Sequence, residues 1–252
     1  MAELGGSDQV AVFFFGPVQG SGGVIVFPKG YLKSMRNACR ELRILFVANE
    51  VITAFGRTGS MLVCMGEDVV PDILTVAKSL TSGYLPMGAL FISESIYQTI
   101  ADGVGESPEG HGFTYSGHPV SADVGPATLE LYKEGGLFEN VLKSGKNFAE
   151  RLRALESHPL VGDVRIAGLL AGVELVVGKH SRRKVPTALK IVSRMFEAVY
   201  RNGLIFQAFA DYIIGFAPPL CYTETDIDIL VERFEKTLNE VAGIAEIRQC
   251  LV

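Results

Sequence analysis

The chain has 252 residues, of which 48% are hydrophobic and 20% charged, with a net charge of −5 at pH 7. That length can bury a sizeable core in one large domain or two, and the apolar content excludes a disordered chain. The acidic balance leaves no electrostatic footprint for nucleic acid, and no window reaches the run of about 18 uncharged apolar residues that a membrane span needs. Four widely spaced cysteines (Cys39, Cys64, Cys221 and Cys250) show neither metal-ligand spacing nor a disulfide framework. That cysteine pattern fits a reducing, cytoplasmic setting, and Met1 to Asp8 lack the basic region and apolar run of a secretory signal.

Val10 to Phe15 is an unbroken apolar run, expected as a strand of a parallel sheet covered on both faces. It stops at Gly16-Pro17, and Gln19 to Gly23 reads as a flexible loop at that strand's end. No helix follows those glycines directly, so they do not make a dinucleotide-binding turn. Tyr31 to Leu42 has helical spacing, and Ile44 to Ala48 is a further buried strand, closed by Asn49-Glu50. Ile73 to Ala77 is the next, followed by Lys78 and a small polar stretch with Gly83 and Pro86. Strand, loop, helix and strand at this pitch make a βαβ pattern, whose ligands collect beyond the carboxyl ends of the strands. Asn49, Lys78 and the loop after Pro17 are all expected at such ends.

Gly88 to Ile92 predicts a strand, Glu94 to Ala101 a short helix, and 103–112 a loop. Pro119 suits the first turn of a helix running to about Tyr132. Past Gly135-Gly136 come a long amphipathic helix from Leu137 to Leu155 and strands over Val161 to Val177 broken at Gly168 and Gly172. A helix over Thr187 to Arg201, strands near Leu204–Phe209 and Tyr212–Phe216, and a last helix from Thr223 to Val241 complete the chain. Thr223 and the acids behind it supply a hydroxyl cap and negative charge beside the helix dipole. The basic cluster Lys179 to Lys184 reads as an exposed loop. Residues 1–134 are thus expected as an α/β domain with a mostly parallel sheet and flanking helices, and 135–252 as a smaller α+β domain.

Lys78 is the chemically suggestive residue. An ammonium beside apolar walls is poorly hydrated, its neutral amine becomes accessible near neutral pH, and such an amine forms imines with carbonyl compounds. The plain alternative is a lysine that meets water where a strand ends.

Six stretches together resemble one family, the class III (ω-amino acid type) aminotransferases, pyridoxal 5′-phosphate enzymes of fold type I. They are Pro17 to Gly20, Asn49 to Gly59, Pro71 to Lys78, Thr81 to Ala89, His111 to Pro119 and Gly215 to Leu220, in the family's order and spacing over essentially the whole chain. The resemblance implies that Lys78 forms the Schiff base with the cofactor and, once freed by substrate, acts as the catalytic base. It further implies that Val51 packs on the pyridine ring, Asn49 stands at the ring nitrogen, and Thr114 contacts the phosphate across a homodimer interface. His118 and Arg57 are read as helix entry and loop structure. Ser21 and Gly215 stand where ornithine-type members carry Glu and Arg, which leans the likeness toward the ω-amine and β-amino acid:pyruvate branch. Substrates would be an amine or amino acid and a 2-oxo acid, with no nucleic acid, membrane or metal involved.

Four departures accompany the match. Asn49 replaces the family's aspartate, whose carboxylate keeps the ring nitrogen protonated so that the ring accepts carbanion electrons. Losing one partner of a buried ion pair costs about 3–5 kcal/mol, and half of that on the transition state slows the reaction on the order of 10-fold or more. Gly16 stands in place of a glutamate. Gln207 stands in place of the arginine that would bind substrate carboxylate, and it lacks the bidentate fork. Full-length relatives are expected to carry an upstream part with a Gly-Ser phosphate cup, which makes this chain N-terminally truncated. Impaired transamination is therefore one expectation; a non-catalytic cofactor-binding or interaction protein is the alternative.

Overall fold

The computed structural model describes residues 5–103, 112–179, 181 and 183–251. Most of the loop expected over 103–112, His111 of the motif ending at Pro119, and His180 and Arg182 of the basic cluster lie outside the described residues. In chain order the strands and helices are β1 (Val12–Phe15), β2 (Val18–Gln19), β3 (Ile25–Val26), α1 (Tyr31–Glu41), β4 (Leu45–Asn49), α2 (Val63–Gly66), β5 (Ile73–Val76), β6 (Ala89–Ile92), α3 (Glu94–Gly103) and α4 (Pro119–Glu134). They continue as α5 (Leu137–Ala154), β7 (Val161–Ala167), β8 (Leu170–Gly178), β9 (Arg183–Lys184), α6 (Ile191–Arg201), β10 (Gln207–Phe209), β11 (Ile213–Phe216), α7 (Glu224–Ala242) and α8 (Ala245–Arg248). The chain divides into two compact units, one of residues 1–17, 27–56 and 60–136, the other of 18–26, 57–59 and 137–252.

The first unit is built on a four-stranded sheet of order β1-β4-β5-β6, in which β1, β4 and β5 run parallel and β6 is antiparallel to β5. Alternation sends Phe15, Phe46 and Ala48 to one face, where they pack with Leu32 and Cys39 of α1, Ile44, Cys64 and Val69. Asp72 ties this layer together: its carboxylate takes both guanidinium nitrogens of Arg36 at 2.7 Å and the backbone N–H of Phe46 at 2.8 Å. A planar guanidinium meeting a carboxylate in this forked way holds α1 in a fixed register on the sheet.

The opposite face departs from the doubly covered sheet expected from the sequence. Register places Val12, Phe14, Leu45, Val47, Asn49, Ile73, Thr75, Leu90 and Ile92 on it, and Phe14 is 60% and Leu90 61% exposed. An apolar run in a strand reports that both faces want burial, but it cannot report which residues do the covering.

The second unit holds an antiparallel sheet of order β10-β11-β8-β7, with β9 paired to β8. Phe148 and Leu152 of α5, Val173 and Leu175 of β8, Met195 of α6, Ile214 and Phe216 of β11, and Ile227, Phe234 and Leu238 of α7 are all buried and form its core. Asn140 and Ser144 of α5 donate to the Tyr222 carbonyl at 2.9 and 2.8 Å, fixing the Pro-Pro segment before α7.

One local expectation is refined and two are corrected. The loop expected at Gln19 to Gly23 is present as a hydrogen-bonded turn: residues 20–23 lie between β2 and β3 in an antiparallel hairpin that belongs to the second unit, where Arg165 donates to the Gly23 carbonyl at 2.8 Å. Gly172 does not break its strand; β8 runs through it, and a Cβ there would stand 3.0 Å from the Gly23 carbonyl oxygen. That glycine serves a close approach of two backbones. The helix expected from Thr187 begins at Ile191, because Lys190 has φ +46° and separates it from a single turn of 3-10 helix.

Candidate active site

Two adjacent parallel strands set the central residues at one end of the sheet. Asn49 is the last residue of β4 and is the register partner of Thr75 in β5; Lys78 follows two residues after β5 ends. Both therefore stand at the carboxyl end of the sheet, where open α/β sheets gather their ligands. Lys78 has φ +49°, a left-handed backbone that turns the chain sharply out of the strand into a 3-10 turn, closed by Leu80 N–H to the Ala77 carbonyl at 3.0 Å. The turn is braced from α4, where the Tyr132 hydroxyl donates to the Ser79 carbonyl at 2.6 Å.

The environment of Lys78 differs from the expectation of apolar walls, for the residue is exposed among the described residues. Desolvation needs atoms on every side of the ammonium, and a strand end supplies them on one side only.

Asn49 is half-buried and its Oδ1 accepts the Val51 N–H at 3.1 Å. This bond pins the turn that presents Val51, itself half-buried. The Thr75 hydroxyl is buried and has no hydrogen-bond partner among the described residues. A buried hydroxyl left unpaired costs about 1–3 kcal/mol, so this one is available to a further group. The signal for Thr75 in the sequence is its hydroxyl between Leu74 and Val76 in an otherwise apolar run.

The adjacent Glu50 has a different fate. It is 0% exposed, and its carboxylate accepts Thr53 Oγ1 at 2.8 Å, Val63 N–H at 2.9 Å and Cys64 N–H at 2.8 Å. It caps the start of α2, where helix N–H groups lack partners of their own. Burial, then the neighbouring Glu50 charge, push the Cys64 thiol far up, which keeps it an inert core residue.

Thr114 lies in an exposed turn of the same unit, just before α4, with Phe113 N–H donating to Ser116 Oγ at 2.7 Å. His118 occupies the N-cap of α4 and Pro119 its first position. Gln207 belongs to the other unit, exposed on β10 opposite Gly215. A Cβ at Gly215 would stand 2.3 Å from the Phe209 ring, so a side chain there requires that ring to move. Arg57, in the same unit, donates to the Leu169 and Pro218 carbonyls, a structural tie. Of the basic cluster, Lys184 pairs with Asp211 at 2.5 Å and Arg183 donates to the Cys250 carbonyl. No helix among the described residues is long and apolar enough to cross a membrane.

The donor set suits a neutral ring bearing an aldehyde: an amine at a strand end, an amide and a spare hydroxyl on the neighbouring positions, and a half-buried valine. Comparison with known proteins points the same way. The profile of the Aminotransferase class-III family matches residues 2–238. The chain is 37% identical over 239 residues to the diaminobutyrate–2-oxoglutarate transaminase of Halomonas elongata, covering 94% of this chain and 51% of that protein. It is 39% identical over 239 residues to the putrescine–pyruvate aminotransferase of Pseudomonas aeruginosa, covering 94% and 51%. Among solved structures, the (S)-enantioselective omega-transaminase of Thermomicrobium roseum superposes with a TM-score of 0.90 at 39% identity, over 95% of this chain and 53% of that one. The chain thus spans about half the length of the curated relatives it matches.

Proposed function

Because the chain belongs to the class-III aminotransferases, we propose that it descends from, and retains the cofactor-holding half-site of, a pyridoxal 5′-phosphate-dependent transaminase. The reaction would move an amino group from an ω-amine or amino acid to a 2-oxo acid such as pyruvate. The observation that carries this reading is the placement of Lys78 and Asn49 at the ends of adjacent parallel strands. The named donors of the two relatives, diaminobutyrate and putrescine, both carry a terminal amine, and their named acceptors are both 2-oxo acids.

When bound, the cofactor supplies an electron sink for the pair left on the substrate carbon. Lys78 would hold the cofactor through Nζ and, when free, its amine would carry the proton removed from the substrate carbon. Asn49 would stand at the ring nitrogen, Val51 would offer an apolar wall, and Thr114 would offer a hydroxyl to the phosphate held by a neighbouring copy in a homodimer. Gln207 replaces a charged clamp by a neutral amide, so substrate carboxylate would be held weakly. We assign residues 1–134 and 135–252 to a partial cofactor-binding domain and a small domain, in a cytoplasmic protein without nucleic-acid or membrane partners.

The neutral Asn49 and the exposed Lys78 favour a second reading of the chain by itself, a cofactor holder with little turnover. Titrating the purified chain with pyridoxal phosphate tests the first requirement of both. A visible absorbance band that Lys78→Ala abolishes is expected, with amine-to-pyruvate transfer separating the two readings. A spectrum identical in native and variant chains contradicts both.

A further inference from the structure

Resting on the assignment of Asn49 to the cofactor's ring nitrogen, we infer that this chain selects the unprotonated form of the pyridine ring, with Asn49 Nδ2 donating to the nitrogen lone pair. The inference is drawn from the orientation of the amide. A backbone N–H can only donate, so the atom 3.1 Å from Val51 N must be the amide oxygen; the flipped amide would set two donors against each other. Oδ1 has one lone pair engaged by that N–H, while Nδ2, the amide's donor end, has no acceptor among the described residues. A pyridinium N–H is also a donor and cannot pair with it. An unprotonated ring nitrogen can.

Neither carboxylate of the neighbourhood can restore the charge. Glu50 leaves β4 on the opposite side from Asn49, is fully buried, and is spent on Thr53, Val63 and Cys64. Asp72, at the other end of β5, is committed to Arg36 and to the Phe46 N–H. The group on the register partner of Asn49 is the unpaired Thr75 hydroxyl, which hydrogen-bonds but brings no charge. The polar groups that Asn49 and Thr75 offer to the ring nitrogen are therefore neutral. The ligand this site fits is a neutral aza-aromatic aldehyde, held as such and poor at accepting carbanion electrons.

Nitrogen NMR of ring-15N-labelled pyridoxal phosphate on the full chain reads the ring state without any turnover. The expected result is the shift of an unprotonated pyridine at neutral pH in the native chain, moving to a pyridinium shift in Asn49→Asp. A pyridinium shift in the native chain, or no change in the variant, overturns the inference. Should Asn49→Asp fold poorly, the native chain alone still decides. The ring-N-methylated, permanently cationic analogue should bind at least about 10-fold more weakly than pyridoxal phosphate, the effect of leaving one donor unpaired. Equal or tighter binding of the cationic analogue overturns the inference. Absence of any signal dependent on Lys78 instead defeats the family-derived assignment, and the inference falls with it.

Discussion

Lys78 shows how much a single residue's role depends on what lies around it. Its place was legible in the sequence, because the apolar run from Ile73 stops there and small polar residues follow. Its solvation was not, since burial depends on neighbours that local sequence does not name. Its backbone was not legible either: φ +49° is a conformation that costs a non-glycine residue about 1–3 kcal/mol. The strain yields a prediction that contacts alone would not. Lys78→Gly should be more stable than Lys78→Ala by about 1 kcal/mol, because glycine adopts left-handed angles freely. Denaturant midpoints of the two variants measure it, and an equal or lower midpoint for the glycine variant contradicts the account. The Asn49 amide was readable as a loss of charge, whereas the donor it presents needed the Val51 bond to become visible.

At the scale of elements, caps and periodicity were legible and glycines were not. Thr223 and Asp226 form a capping box at the start of α7, as the residue types predicted. Gly168 does end β7: it has φ +61°, and a Cβ there would stand 2.6 Å from the Arg57 carbonyl oxygen. Gly172, read as a second break, is instead a contact point, a distinction made only by the hairpin packed against it. The corner between α5 and β7 carries a pH dependence. His158 Nδ1 accepts the Leu160 N–H at 3.2 Å, which requires neutral imidazole. Burial lowers the His158 pKa first and foremost, against a hydrogen bond with Asn239 and the Glu235 charge, which raise it, while Lys179 lowers it. The unfolded chain thus binds this proton before the folded one does. The contribution is present above the ordinary histidine value and drains away as pH falls below it. His158→Asn keeps a carbonyl for the same N–H and cannot titrate. Its unfolding free energy should fall less steeply between neutral and mildly acid pH than that of the native chain, and an unchanged slope contradicts this.

Across the whole chain, the class of fold followed from pattern, since buried strands alternating with helical spacing leave few architectures. What pattern could not give was the cover over the first unit's sheet. Its edges are β1 and β6, and Val12, Phe14, Leu45, Leu90 and Ile92 remain exposed on one face. Unpaired edges and exposed apolar faces template association. The chain is therefore expected to self-associate with rising concentration in sedimentation experiments, and Phe14→Lys with Leu90→Lys should suppress it; concentration-independent sedimentation of the native chain contradicts this. Spanning about half the length of its curated relatives, the chain nevertheless keeps β4, β5 and the turn at Lys78 in register. The ability of that half-site to hold an aldehyde is what the functional account requires. Reductive trapping of pyridoxal phosphate on the purified chain, followed by peptide mapping, measures it most directly. One adduct on the peptide carrying Lys78 is the predicted result, and an adduct spread over the exposed lysines, or absent from that peptide, would contradict it.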